Sequence, residues 1–251
     1  LPFSGPDGGS GEKRLLATAQ GLNFVHTRFV PTGFGGVAEI SHVRSSDFGY
    51  TWSIPETLST MDSIGSQLSR IGGDDKGNVY VVWYDHKYGS VDGYHGTLIV
   101  RKSTDNGSTW QGEQILTPAP TAELPSIAVK DNLVAVTWSD YITYYHDQPM
   151  VRLSTDFGQT WCPPVSEDSL GRDVDCAITT SELFMSWWHE YPLTPPFLNP
   201  EILVRKGHLS LHKFPLPLPD QVHLYDCFPN PFNSGTTIRY DLPHSDEVSI
   251  R

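Results

Sequence analysis

The octapeptide Ser103-Thr104-Asp105-Asn106-Gly107-Ser108-Thr109-Trp110 decides how this chain is read, because it occurs three times. The other copies are Ser45-Ser46-Asp47-Phe48-Gly49-Tyr50-Thr51-Trp52 and Ser154-Thr155-Asp156-Phe157-Gly158-Gln159-Thr160-Trp161. The shared pattern is S-x-D-x-G-x-T-W, and its aspartates fall 58 and 51 residues apart. That is the length of one four-stranded propeller blade rather than of a helical repeat. The chemistry is that of a hairpin turn opened by Ser45, Ser103 or Ser154. Gly49, Gly107 and Gly158 tolerate positive φ, Asp47, Asp105 and Asp156 accept hydrogen bonds from turn amides, and Trp52, Trp110 and Trp161 plug the edge of a blade. A calcium loop would need further oxygen ligands at alternating positions, which the octapeptides do not carry.

Working outward, Asn78 to Asp85 (NVYVVWYD) and Asn132 to Asp140 (NLVAVTWSD) alternate apolar residues as strands do. Each follows a short turn and an earlier strand, and precedes a longer loop, a third strand (Leu98 to Lys102, Met150 to Leu153) and the octapeptide. The repeat is therefore strand A, turn, strand B, loop, strand C, octapeptide, strand D. A fourth copy is degenerate: Leu183 to Trp188 and Ile202 to Lys206 match strands B and C, but Gly207-His208-Leu209 replaces the octapeptide. The expected fold is all-β, a propeller with four visible blades over 12–62, 63–120, 121–170 and 171–214, with its closure as a ring left open. A Gly/Pro-rich lead-in spans 1–11, a Pro-rich linker 215–221 and a further β segment 222–251.

Composition agrees with short strands and many turns: 22 Gly, 20 Pro and 29 Phe, Trp and Tyr among 251 residues. A net charge of −12 repels phosphate backbones and anionic lipid, which excludes nucleic acid and peripheral membrane attachment as partners. No apolar run reaches the roughly 18 residues of a membrane-spanning helix, so the expected chain is soluble. Leu1 to Ser10 has neither an initiator Met nor a signal-peptide pattern, so the chain reads as a processed or partial product. Cys162 and Cys176 could bridge across a short segment, leaving Cys227, or all three could be buried thiols.

The three octapeptides resemble the Asp-box, or BNR, repeats of sialidase-like β-propellers, over about residues 12–214. In an antiparallel meander the A–B and C–D turns share one face and the B–C and D–A connections the other. The B–C loops, opposite the octapeptides, hold the ligand-binding candidates: Asp85, His86, Tyr88 and Tyr94; Asp140, Tyr141, Tyr144, Tyr145 and His146; and Trp188, His189 and Glu190. Aromatic faces beside acceptor oxygens suit the apolar C–H faces and hydroxyl rims of sugars, so glycans, surface polysaccharide or glycoprotein are the expected partners. Asp85, Asp140 and Glu190 recur two residues after a strand-B Trp, which points to a strand-end hydrogen bond. The histidines lack compact ligand spacing, so no metal is expected, and no cofactor either.

The resemblance also implies what a sialidase would need: an Arg-Ile-Pro segment, three arginines clamping a carboxylate, an Asp acid/base, and a Tyr nucleophile paired with a Glu. Ser69-Arg70-Ile71-Gly72 lies where an inner strand begins, which makes Arg70 the candidate arginine and Asp92 the candidate acid. Gly72 stands in place of Pro, the equivalent positions Ser126 and Asp175 are not basic, and no Tyr–Glu pair follows from motif. Arg101, Arg152 and Arg205 recur at one strand-C site, as a structural residue would. Binding is thus preferred to exo-acting hydrolysis of sialosides, with a structural or protein-interaction propeller as the third alternative.

In the last segment, Cys227 to Pro243 (CFPNPFNSGTTIRYDLP) resembles the opening of the Ig-like C-terminal sorting domain of the type IX secretion pathway. That resemblance implies export to the cell surface or medium, with the outer-membrane secretion machinery as a partner. An Ig-like sandwich needs roughly seven strands, so 222–251 reads as a truncated domain.

Overall fold

Alternating apolar residues punctuated by Gly, Asn and Asp leave the chain little choice but short antiparallel strands, and the computed structural model contains four successive sheets of them. It describes residues 14–32, 35–62, 64–90, 95–117, 119–143, 146–189 and 201–208, and two short strands at 223–224 and 240–241. The first sheet is β1 (Leu15–Thr18), β2 (Gly21–Thr32), β3 (Gly35–Ser45) and β4 (Glu56–Thr57). The second is β5 (Ser66–Gly73), β6 (Val79–Asp85), β7 (Thr97–Ser103) and β8 (Gln114–Ile115). The third is β9 (Ala122–Lys130), β10 (Leu133–Thr143), β11 (His146–Ser154) and β12 (Val165–Ser166), and the fourth is β13 (Gly171–Ile178), β14 (Glu182–His189) and β15 (Glu201–His208). Every pairing is antiparallel between chain neighbours, so each sheet is a meander and the protein an all-β propeller of these blades. The fourth blade has three strands among the described residues, one fewer than its sequence repeat predicts.

The chain divides into two units, Leu1–Ser210 and Leu211–Arg251. The second contributes β16 (His223–Leu224) paired with β17 (Tyr240–Asp241), and the rest of it lies outside the described residues. Among the described residues no helix is long and apolar enough to cross a membrane. Cys162 and Cys176 are free thiols, which closes the bridging alternative; burial, only partly offset by Arg152, raises the pKa of Cys162.

In the second and third blades the two faces of each sheet meet different neighbours. Val79, Val81, Trp83 and Ile99 pack with Val25, Ile40 and Leu58 of the first blade. Tyr80, Val82, Tyr84, Leu98 and Val100 pack with Ile127, Val134, Val136 and Trp138 of the third. Two-sided burial explains why strand B reads as an almost continuous apolar run. The inner strands β1, β5, β9 and β13 pack successively against one another, and the first and fourth sheets do not pack appreciably together among the described residues.

The three octapeptides fold identically. In each, the Ser hydroxyl donates to the Asp Oδ1 at 2.7, 2.7 and 2.8 Å and accepts from the Gly amide at 2.7, 2.8 and 2.8 Å. The Thr hydroxyl donates to Asp Oδ2 at 2.6, 2.7 and 2.6 Å, and its amide to Asp Oδ1 at 2.8 Å each time. The glycines take φ of 100, 77 and 75°, and Phe48, Asn106 and Phe157 before them also sit at 55, 55 and 61°. The hydroxyl and amide of Thr51, then Ser45, hold Asp47 down at about 2. Burial raises Asp105, but the Thr109 and Ser103 bonds outweigh it and leave it at about 2.

These turns also join blades. Asn106 accepts from Thr18 and Asn23 of the first blade at 3.0 and 2.9 Å, and the Phe157 carbonyl accepts from Tyr80 and Lys102 of the second at 3.0 and 2.7 Å. Trp161 donates to Gln114 of the second blade at 3.1 Å, and Trp110 packs on the core between blades one and two. Trp110 and Trp161 thus seal the seams that the second and third blades form with the blade before each. Arg101 reaches back to the Leu58 carbonyl at 2.7 Å and also binds Gln111 of its own blade; Arg152 bridges Leu116 and Cys162 in the same way.

Candidate functional site

Asn106 and Phe157 donate their amides to Gly77 and Asn132 in the A–B turns, so octapeptides and A–B turns share one face. On the other, His86 donates to Gly65 and Tyr141 to Thr121, placing the B–C loops beside the D–A connections. Just below that second face three of the four inner strands, β5, β9 and β13, carry the same defect. Register slips between Gln67 and Arg70, between Glu123 and Ser126, and between Arg172 and Asp175. Leu68, Leu124 and Asp173 adopt φ of 49, 49 and 53° there. Two leucines in the left-handed region are uncommon, and bulges of this kind re-aim the side chains beside them.

Gln67, Glu123 and Arg172 are those re-aimed neighbours, at one equivalent position in three successive blades. Gln67 accepts from the Tyr84 hydroxyl at 3.4 Å. Arg172 pairs through one terminal nitrogen with Glu123, and its Nε lies 2.7 Å from Asp147 Oδ2. His95, at the end of the second B–C loop, places Nε2 3.6 Å from Glu123 Oε2, with its ring 4.7 Å from that of Tyr141. The Glu123, Asp147 and His95 side chains are only 11, 4 and 6% exposed, whereas Arg172 keeps 39%, so the cluster presents one guanidinium to solvent over buried acids. His95, Glu123 and Asp147 each offer a ligand atom within 4.8 Å of the others, a grouping that spacing did not reveal. The guanidinium already supplies positive charge to both carboxylates, and a metal ion would have to displace it.

Asp85 and Asp140 are local brackets. Asp85 accepts from Trp83 Nε1 at 3.3 Å, Ser66 at 2.8 Å and the Lys87 amide at 2.9 Å; Asp140 accepts from Trp138 Nε1 at 3.4 Å and Thr121 at 2.7 Å. In the fourth blade the buried tryptophan is Trp187, which donates to Ser169 at 3.2 Å, while Trp188 points to the opposite face. The residue equivalent to Asp85 is therefore His189, which ends β14, and not Glu190. His86 lies against Tyr84 at 5.3 Å between centroids, Tyr88 is exposed with Lys87 Nζ 5.1 Å from its ring centre, and His146 begins β11. Asp92, Tyr94, Tyr144, Tyr145, Glu190 and the His189 side chain lie outside the described residues.

Arg70 stands two residues past its bulge, half-buried, with its guanidinium on the Ser69 carbonyl at 3.2 Å. Its equivalents Ser126 and Asp175 hydrogen-bond to each other at 2.5 Å. A further buried acid, Glu39 on β3, accepts from Ser59 at 2.5 Å; burial raises its pKa more than that bond lowers it. Sequence reasoning missed Glu39, Glu123 and Arg172. A signal was present in the last two: acid and base at one repeat position where apolar alternation breaks.

No family model and no curated protein matches the sequence. Among solved structures, a protein of unknown function from Dyadobacter fermentans is similar at TM-score 0.50 and 15% identity, over 77% of this chain and 51% of that one. This chain thus spans about half of that protein, and the likeness bears on the fold. Weaker likenesses are to a NanB sialidase mutant from Streptococcus pneumoniae (TM-score 0.40, 16% identity, 59% of this chain, 24% of that) and to a Penicillium chrysogenum alpha-L-arabinanase in complex with arabinobiose (0.47, 12%, 70%, 60%).

Proposed function

We propose that the chain is an exported Asp-box propeller, of the sialidase-like kind, that binds a glycan on its B–C loop face at the mouth formed by Gln67, Glu123 and Arg172. One observation carries this: the arginine and tryptophan of the seam recur, Arg101 and Trp110 as Arg152 and Trp161, whereas this bulge-flanking position carries an amide, an acid and a base in turn. A ring of different donors and acceptors suits the unlike hydroxyls of a sugar. Tyr141 supplies an aromatic face beside it, and the second B–C loop carries the exposed Tyr88. Glu123 and Asp147 are both engaged by Arg172, so neither of these two stands free to hand a proton to a leaving oxygen, which favours binding over hydrolysis at this mouth. Export is supported by the N-P-F-N and I-x-Y-x-L-P segments within 222–251.

Glycan-array binding by the whole chain, with Gln67→Ala and Tyr141→Ala each weakening the captured sugar at least tenfold, is the expected result. Turnover of a fluorogenic sialoside that Arg70→Ala abolishes would replace this proposal with the hydrolase. Neither binding nor turnover would leave the protein-interaction propeller.

A further inference from the structure

Asn106-Gly107 is the only Asn–Gly pair in the sequence, and it stands at the centre of the second octapeptide, where the other copies carry Phe48-Gly49 and Phe157-Gly158. Asn106 holds a φ of 55°, in the left-handed region that asparagine enters more readily than phenylalanine. Its side chain also fastens the seam between the first two blades. Asn106 Oδ1 accepts from the Thr18 hydroxyl at 3.0 Å and the Asn23 side-chain amide at 2.9 Å, and Nδ2 donates to the Gln20 carbonyl at 3.4 Å.

Asparagine followed by glycine is open to a reaction that a larger next residue hinders, because no Cβ shields the backbone nitrogen. In alkaline water the Gly107 nitrogen gives up its proton and attacks Cγ of Asn106. The N–Cγ bond forms, the Cγ–Nδ2 bond breaks, and ammonia leaves a cyclic imide. Water then opens the imide at either carbonyl, giving aspartate or isoaspartate; the sum is one water taken up and one ammonia released.

The closed seam gives this reaction neither approach nor room. The Gly107 amide is donated to Ser103 Oγ at 2.8 Å, the Asn106 carboxamide is held by the three bonds above, and Asn106 is 6% exposed. A Cβ added to Gly107 would meet Asn23, and His42 at 2.8 Å, so the space beside the nitrogen is already filled. We infer that Asn106 is a self-modifying site guarded by this seam, intact while the first and second blades are closed together and deamidated in chains where they have parted. Deamidation then blocks reclosure. Aspartate sets a carboxylate against the Gln20 carbonyl where an amide donated, and isoaspartate inserts a main-chain carbon inside the Ser103–Gly107 and Asp105–Thr109 bonds.

The test holds the whole chain at mildly alkaline pH, native and in guanidinium chloride, and follows residue 106 by peptide mass spectrometry with isoaspartyl detection. In denaturant Asn106 converts to both products; in the native chain conversion is slower by at least on the order of tenfold, because only the open fraction reacts. Thr18→Val removes one of the donors to Asn106, so it speeds conversion in the native chain and leaves the rate in denaturant unchanged. Asn106→Asp, the product made directly, unfolds at lower denaturant than the wild type or fails to fold. Equal rates in native and denatured chains overturn the inference, as does an Asn106 that stays intact in denaturant. A folded Thr18→Val chain that converts no faster than the wild type overturns the guard, and an Asn106→Asp chain with the wild-type midpoint overturns the block on reclosure.

Discussion

Acidification should weaken this protein through His42 before any of its octapeptide aspartates titrates. His42 lies in the seam between the first two blades, 1% exposed, its ring edge-on to Trp110 at 5.0 Å between centroids. Its Nε2 is 2.9 Å from Asn23 Oδ1; the Asn23 amide nitrogen in turn donates to Asn106, so the network makes Nε2 the protonated nitrogen of a neutral ring. Burial, with a smaller contribution from Arg44, lowers its pKa from 6.5 to about 4. A base whose folded value lies below its unfolded one binds protons preferentially in the unfolded chain. Its contribution is therefore whole above the unfolded value, falls as pH drops below 6.5, and is fully lost below about 4. The full loss is about 3 kcal/mol, of which about 2 is gone by about pH 5, while Asp47 and Asp105 keep their charge. Urea denaturation at about pH 8 and about pH 5, for wild type and His42→Gln, measures it. Gln can still donate to Asn23 but has no titrating nitrogen. The expected difference between the two pH-induced losses is about 2 kcal/mol, and parallel losses in the two proteins would refute the assignment.

Gly107→Ala should be among the most damaging small substitutions, because a Cβ there meets Asn23 and His42, the latter at 2.8 Å, at a φ of 77°. Gly112→Ala, with nothing within 4 Å, should leave the urea midpoint unchanged and serves as its control. Arg152→Met removes the clasp between the second and third blades and leaves the Leu116 and Cys162 carbonyls short of a charged donor; it should cost about 1–3 kcal/mol in urea unfolding.

Much of the scaffold was legible because its causes are local. Asp105 is recognised by Thr109 four residues on and Ser103 two residues back, so the octapeptide holds its own bonds wherever it occurs. The tryptophan brackets at Asp85 and Asp140 are equally short-range. Where the sequence misled, the cause was strand parity: Trp187 and Trp188 are adjacent and only packing against Val174 and Val151 decides which is buried. Nothing local marks Leu68 or Leu124 for a left-handed φ either, since neither has a side chain that favours it.

The chain by itself determined the blade: its length, its turns, its alternating strands and the face on which the long loops emerge, all set by interactions within a few dozen residues. The tertiary structure alone decided that Glu123, Asp147, Arg172 and His95 form one cluster, since they come from three strands and a loop in three blades. Their meeting depends on bulges that turn side chains off the alternating pattern and on the stacking of sheets around a common axis, and both are set by packing rather than by the identity of neighbouring residues.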